Sequence, residues 1–218
     1  MRLVLVAMFG LLLGEAHAQA PMFSAADLMQ TPREGWLTSG GNLSNHRYSP
    51  LTQVTPANVA QLRGVWRTHL NGSGLGPQYS GEAQPLVHNG VIYIVTGADD
   101  VFAVSVKTGA ILWTYEAHLP DITTVCCGWT SRGVAMGEGK IFVGQLDGKL
   151  VALDARTGKV VWSVQSEKWQ EGYTITGAAL YYNGLVIVGA GGSEKAIRGR
   201  LKAFNAKTGK LAWTFNTI

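Results

Sequence analysis

The chain has 218 residues, a formal net charge of +4, 28 glycines, seven tryptophans and two cysteines. Lys and Arg are spread along the sequence, so the modest basic balance lacks the contiguous patch of a nucleic-acid binder. The five histidines include no i, i+4 pair, which leaves no sequence basis for a histidine metal site or a catalytic triad.

The N-terminus "MRLVLVAMFGLLLGEAHAQA" places Arg2 before an apolar run from Leu3 to Leu13 and then the small-x-small pattern Ala16-His17-Ala18. The run is too short for a spanning helix, which needs about 20 residues. The pattern predicts a secretory signal peptide over residues 1–18, with cleavage extending to residue 20, and a periplasmic mature domain over 21–218. Every later apolar run is broken by Gly, Lys or Asp, so no membrane span is expected after removal of the signal.

Three segments align without gaps: "DDVFAVSVKTGAILWTYEAH" from 99, "DGKLVALDARTGKVVWSVQS" from 147 and "RGRLKAFNAKTGKLAWTFNT" from 198. Their tryptophans, Trp113, Trp162 and Trp213, are 49 and 51 residues apart, and Trp66 stands 47 before the first, which suggests an earlier, degenerate copy. Each copy follows a further apolar run opened by Gly: "GVIYIVTG", "GKIFVGQL" and "GLVIVGAG". The runs read as strands, and the Thr-Gly pairs read as turns with Gly at a positive φ. A lone hairpin cannot bury its own face. Four strands per unit of about 50 residues therefore predict an all-β β-propeller of four-stranded antiparallel blades, with tryptophans docking between neighbours and about four blades present. The periodic tryptophans are read as packing residues.

Both cysteines are adjacent, in "TTVCCGWTSRGVA". A crosslink between neighbours constrains almost none of the unfolded chain, so loop entropy is not its purpose. Neighbouring Cα atoms, about 3.8 Å apart, also lie closer than ordinary disulfides prefer. Two buried free thiols or half of a metal site are the other readings of the pair, and the metal reading lacks the C-x2-C spacing.

The repeat A-x-D-A-x-T-G-K-x-x-W, the vicinal cysteines and "GGSEKAIRG" together resemble the quinoprotein alcohol dehydrogenases, eight-bladed propellers that hold pyrroloquinoline quinone (PQQ) and a calcium ion. The resemblance begins at "WLTSGGNLSNHRYSPLTQVTPANVAQL" and covers nearly all of the mature chain. It implies a Cys126–Cys127 disulfide lying as an apolar plate against the cofactor ring. It also implies that Glu82 accepts hydrogen bonds from the quinone edge, that Arg132 faces the reactive oxygens, and that Thr176 donates to a cofactor carboxylate. A planar, permanently charged guanidinium suits the second of these tasks. Gly191, Gly192 and Ser193 are implied to bring backbone close to the cofactor, and Glu194 to ligate calcium, a hard cation suited to oxygen donors; a lanthanide in its place remains open.

The implied activity is oxidation of an alcohol with transfer of electrons to a c-type cytochrome, the redox chemistry belonging to the cofactor. The family's aspartate base, asparagine calcium ligand, covering tryptophan and late basic residue fall in later blades. The base is therefore expected beyond Ile218, and no catalytic residue is expected within the 218 residues. They read as a C-terminally truncated domain, about half of the family ring. Two departures touch substrate class and local geometry: Gly128-Trp129 follows the cysteines where an acidic residue is common, and Ser193 replaces a small apolar residue. A non-catalytic periplasmic scaffold and a ligand-binding sensor are the competing readings of the same repeat.

Overall fold

The computed structural model describes residues 23–74, 80–121, 125 and 128–218. The expected signal peptide lies outside the described residues, as do Cys126 and Cys127. Among the described residues, twelve strands form three four-stranded sheets, each antiparallel and ordered as the chain runs. The first holds β1 (Leu86–His88), β2 (Val91–Val95), β3 (Val101–Ser105) and β4 (Ile111–Tyr115). The second holds β5 (Ala135–Gly137), β6 (Lys140–Gly144), β7 (Lys149–Asp154) and β8 (Val160–Gln165). The third holds β9 (Leu180–Tyr182), β10 (Leu185–Gly189), β11 (Arg200–Asn205) and β12 (Leu211–Asn216). Each sheet is one blade, and the expected turns appear at their Gly residues, with φ of 71° at Gly109, 70° at Gly158 and 68° at Gly209.

The apolar runs are continuous because the middle strands are covered on both faces. Ile141 and Val143 of β6, with Val151 and Leu153 of β7, pack against Leu86, Tyr93, Val101 and Ala103 of the first blade. Their alternating neighbours Phe142, Leu150 and Ala152 pack against Tyr181, Val186, Val188 and Phe204 of the third. Strand alternation sends successive side chains to opposite faces, so a strand wedged between two blades has no polar side to show. The outer strands, β4, β8 and β12, are largely exposed.

One contact repeats at every blade boundary. Trp66 Nε1 donates to the Val106 carbonyl at 2.9 Å, Trp113 Nε1 to Ala155 at 3.0 Å and Trp162 Nε1 to Ala206 at 3.1 Å. Under each indole lies the turn glycine of the next repeat; a Cβ on Gly109, Gly158 or Gly209 would stand within 3 Å of a ring atom. The turn itself is fastened by the residue four before that glycine: Asp154 Oδ1 accepts from the Thr157 amide and hydroxyl, and Asn205 Oδ1 does the same for Thr208. Opposite each blade tryptophan sits a buried alanine, Ala103, Ala152 or Ala203, next to a β-bulge at the same place in all three sheets.

The degenerate fourth copy is present in part. Its Trp66 makes the same docking contact, but residues 62–71 form no strand, so three blades are complete sheets among the described residues. The three-residue inner strands β1, β5 and β9 had no period-two signature long enough to read. Ahead of the blades, helix α1 (Ala25–Met29) opens with a reciprocal Ser24–Asp27 capping box and buries Leu28 in the core between the second and third blades.

Where the β2–β3 and β6–β7 turns meet, Asp99 is wholly buried with φ of 62°. Its Oδ2 accepts from the Leu146 amide at 2.7 Å, while Oδ1 has no hydrogen-bond partner. Burial pushes this carboxyl well above the ordinary carboxylate range, and the neighbouring Asp147 and Asp100 push in the same direction, against the Leu146 amide.

Trp162→Ala should lower stability to urea by about 3 kcal/mol, and Gly209→Ala, which would force a Cβ into the same indole from a left-handed turn, by about 2 kcal/mol; equal midpoints for natural and variant proteins would refute the docking account. Asp99 favours its neutral form in the folded state, so its favourable contribution is complete below the ordinary Asp value of about 3.9 and is lost as pH rises through the folded value. Asp99→Asn, which keeps the acceptor for Leu146, should therefore raise the melting temperature at pH 7 to 8, with the gain shrinking toward pH 4.

Candidate cofactor-binding site

Three expected site residues lie just ahead of the three inner strands. Glu82 stands four residues before Leu86, Arg132 three before Ala135, and Thr176 four before Leu180. Equivalent positions in successive blades put them at the same end of the molecule, and backbone hydrogen bonds tie their segments together. Ser80 N donates to Trp129 O at 3.0 Å and Gln84 N to Arg132 O at 3.2 Å, with a parallel bridge between Gln84 and Gly133. On the other side, Arg132 N donates to Thr176 O at 3.0 Å.

The side chains follow the backbone. Arg132 Nη2 lies 3.2 Å from Glu82 Oε2, both groups about half exposed. Ser80 Oγ holds the other Glu82 oxygen at 3.2 Å. Gly81 and Gly177 border open space, where a Cβ would meet nothing within 4 Å. The result is a row of a carboxylate, a guanidinium and a threonine with free room beside it. An exposed pair of this kind contributes little to stability, on the order of 0–1 kcal/mol, so its charges remain available to a ligand.

The glycine-rich segment joins the row from the third blade. Thr174 and Gly191 exchange backbone hydrogen bonds at 3.1 and 2.8 Å. A Cβ on Gly191 would approach the hydroxyls of Thr174 and Thr176 to 3.3 and 3.6 Å. Gly192 has φ of 117°, and a Cβ there would collide with the Gly172 carbonyl, so only glycine fits. Ser193 and Glu194 then enter an exposed single 3-10 turn, Ser193–Lys195. Glu194 offers one carboxylate, and no group of three His, Cys, Asp or Glu side chains able to hold a metal occurs among the described residues. The structure thus brings Glu82, Arg132, Thr176 and Gly191 together. Gly192, Ser193 and Glu194 continue from them, and Cys126 and Cys127 lie outside the described residues. Ile218 is exposed after β12, its carbonyl accepting from Arg198 Nε at 2.6 Å.

A part-buried ion network centred on the buried Glu167, which the sequence did not reveal, supports this arrangement. Glu167 accepts from Arg200 Nε at 3.1 Å on both oxygens and from its Nη2, and pairs with Lys202 Nζ at 3.0 Å. Hydrogen bonding to Glu167 raises the Arg200 pKa above its already high ordinary value. The Arg200 guanidinium also lies 4.3 Å over the Tyr173 ring. Together these contacts clamp the segment carrying Thr174 and Thr176 to the start of β11. The partners are 33 residues apart, so no local spacing could have announced the pair.

The chain as a whole is similar to known proteins. Residues 36–218 match the family model described as the glucose/ethanol/alcohol dehydrogenase β-propeller domain of PQQ proteins. The chain is 41% identical over 218 residues to the quinoprotein alcohol dehydrogenase PedH of Pseudomonas putida, covering 99% of this chain and 35% of that protein. It is 43% identical over 177 residues to a 1-butanol dehydrogenase (cytochrome c) of Thauera butanivorans, covering 78% of this chain and 24% of that one. Among solved structures, the quinohemoprotein alcohol dehydrogenase of Comamonas testosteroni superposes with a TM-score of 0.80 at 34% identity, over 89% of this chain and 28% of that one. A europium-containing methanol dehydrogenase superposes with a TM-score of 0.79 at 33% identity, over 88% and 33%. The chain spans about a quarter to a third of the length of these relatives. Its tryptophan-docked blades and its matched span place the chain in the PQQ-dependent dehydrogenase β-propeller family.

Proposed function

We propose that this chain supplies the first wall of the cofactor site in a PQQ-dependent dehydrogenase that oxidises an alcohol and delivers electrons to a cytochrome-type acceptor. The observation that carries the reading is the joining of Glu82, Arg132 and Thr176, one from each blade, by backbone hydrogen bonds beside open space. PQQ carries carboxylates and a quinone edge, and the donor set fits both. The guanidinium is a fixed, permanently charged fork, Thr176 adds a hydroxyl, and the glycines allow close backbone approach.

Bound PQQ would supply the two-electron oxidising power. The protein's part is orientation. Glu82 holds Arg132 from one side and the Thr176 carbonyl, 3.5 Å from Arg132 Nη1, receives it from the other, so the guanidinium is aimed before any ligand arrives. Glu194 would give calcium, or a lanthanide, one carboxylate oxygen, and the ion's remaining donors would come from the cofactor and other residues. The Cys126–Cys127 pair, immediately ahead of Gly128 and close in sequence to Arg132, would form a disulfide plate against the ring. The proton acceptor for the alcohol would come from beyond Ile218. The N-terminal pattern supports export, with residues 1–18 as the signal and the domain working in the periplasm.

The test is PQQ binding by the intact protein, followed through quenching of tryptophan fluorescence. Arg132→Lys should weaken binding by about tenfold to a hundredfold, the value of one or two hydrogen bonds to charged groups, with Glu82→Gln weaker in effect. Glu194→Gln should abolish the strengthening of binding by calcium and leave calcium-free binding unchanged. Absence of PQQ binding by the natural protein, or unchanged affinity in Arg132→Lys, would overturn the assignment.

A further inference from the structure

The basic residues that are dispersed in sequence are gathered by the fold. The β3–β4, β7–β8 and β11–β12 turns lie at one end of the blades, opposite the segments that carry Glu82, Arg132 and Thr176. They carry Lys107, then Arg156 and Lys159, then Lys207 and Lys210, all exposed. Their level is set by the docking contacts, since each indole grips the carbonyl just before or within these turns, at Val106, Ala155 and Ala206. Arg63 holds the place equivalent to Lys159 and Lys210 in the segment ahead of the first blade and is also exposed.

Two acidic groups lie at the blade turns of this end, against the five cations. Asp154 directs its carboxylate into its own turn, toward the amides of Arg156 and Thr157. Glu138 is buried beside Lys140 at 4.0 Å and Tyr181 at 3.5 Å. The corresponding turn positions in the other blades are the neutral Ser105 and Asn205. Beside the cations stand apolar side chains that remain open to solvent: Val106 at 42% exposure, Ile111 at 40%, Val160 at 51% and Leu211 at 54%, with Tyr182 at 42% at the end of β9.

We propose that this end of the blades is a docking face for an anionic lipid bilayer. A row of cations at one level meets the negative surface potential of such a bilayer, and each charge contributes separately. The neighbouring Val, Ile and Leu side chains suit the boundary between headgroups and acyl chains, where Tyr is also favoured. A single-stranded nucleic acid would call for stacking aromatics between the charges, and the β3–β4, β7–β8 and β11–β12 turns carry no aromatic residue. Docking in this sense turns the Glu82–Arg132 end away from the membrane and leaves it open to solution. The inference does not depend on which ligand that end holds.

Co-sedimentation of the intact protein with vesicles of phosphatidylcholine and phosphatidylglycerol, against phosphatidylcholine alone, tests the proposal at low and high salt. The quadruple variant Lys107→Gln, Lys159→Gln, Lys207→Gln, Lys210→Gln should partition to the anionic vesicles about tenfold less or lower still. A control that removes the same number of exposed charges elsewhere, Arg33→Gln, Arg67→Gln, Lys168→Gln, Arg198→Gln, should stay within about twofold of the natural protein, because lipid contact is confined to one face. Circular dichroism establishes that both variants keep their sheets. No sedimentation of the natural protein with anionic vesicles overturns the proposal, as does equal loss in both quadruple variants. Binding to duplex DNA in the absence of vesicle binding would assign the face to another polyanion and overturn the lipid reading.

Discussion

The indole of one repeat, bonded to a carbonyl and laid on the glycine of the next, is the contact on which the architecture depends. It recurs at each blade boundary at the end opposite the backbone cross-ties, so the two together hold neighbouring blades in register. The indole supplies three constraints at once: a hydrogen bond that sets height, a flat ring that demands a residue without a side chain, and a large apolar area that excludes water from the blade boundary. The alanine opposite each tryptophan and the bulge beside it recur with it, so the whole corner of the blade is adapted to this one contact.

Because the contact fixes the height of every blade, repeat-equivalent positions become spatial neighbours. At one end this gathers Glu82, Arg132 and Thr176 into a polar row; at the other it gathers the lysines and the arginine of the outer turns. The two ends differ in how they are built. The polar row is cross-tied by backbone hydrogen bonds between adjacent blades and steadied by the part-buried Glu167–Arg200–Tyr173 cluster. The cationic end consists of independent tight turns, each closed by its own Asx or Ser side chain. The two ends are thus held by different means, one by ties between blades and the other by contacts within each turn.

Much of this was legible before the structure. The middle strands declared themselves as continuous apolar runs, since both faces of β6 and β7 are covered, and the Thr-Gly pairs marked turns whose glycines do take positive φ. The inner strands were not legible, because three residues cannot show a period of two. Glu82, Arg132 and Thr176 stand just before those strands, so their shared place in the blade was invisible, and the family resemblance alone drew attention to them. Trp66 was legible as a repeat tryptophan, though the strand it implied is absent from residues 62–71. The buried Asp99 and the Glu167–Arg200 pair left no trace in local spacing, since both depend on contacts between distant turns. The common level of the basic turns was not legible, because their period, about 50 residues, is longer than any window in which charge is usually counted.

The order of strands within each sheet, which never departs from the order of the chain, also governs how damage spreads. Each blade closes on itself through short connections, and its apolar faces pack mainly on the blades at either side, with the N-terminal segment adding contacts through Phe23 and Leu28. Such a molecule behaves as a short linear array in which each unit has its own stability and a coupling to the next. A lesion inside one blade then weakens that unit and its two boundaries and leaves more distant blades intact. The polar row is formed by one residue from each of three blades, so it is the feature most exposed to this arithmetic: it is complete only while every unit in the array is folded at the same time.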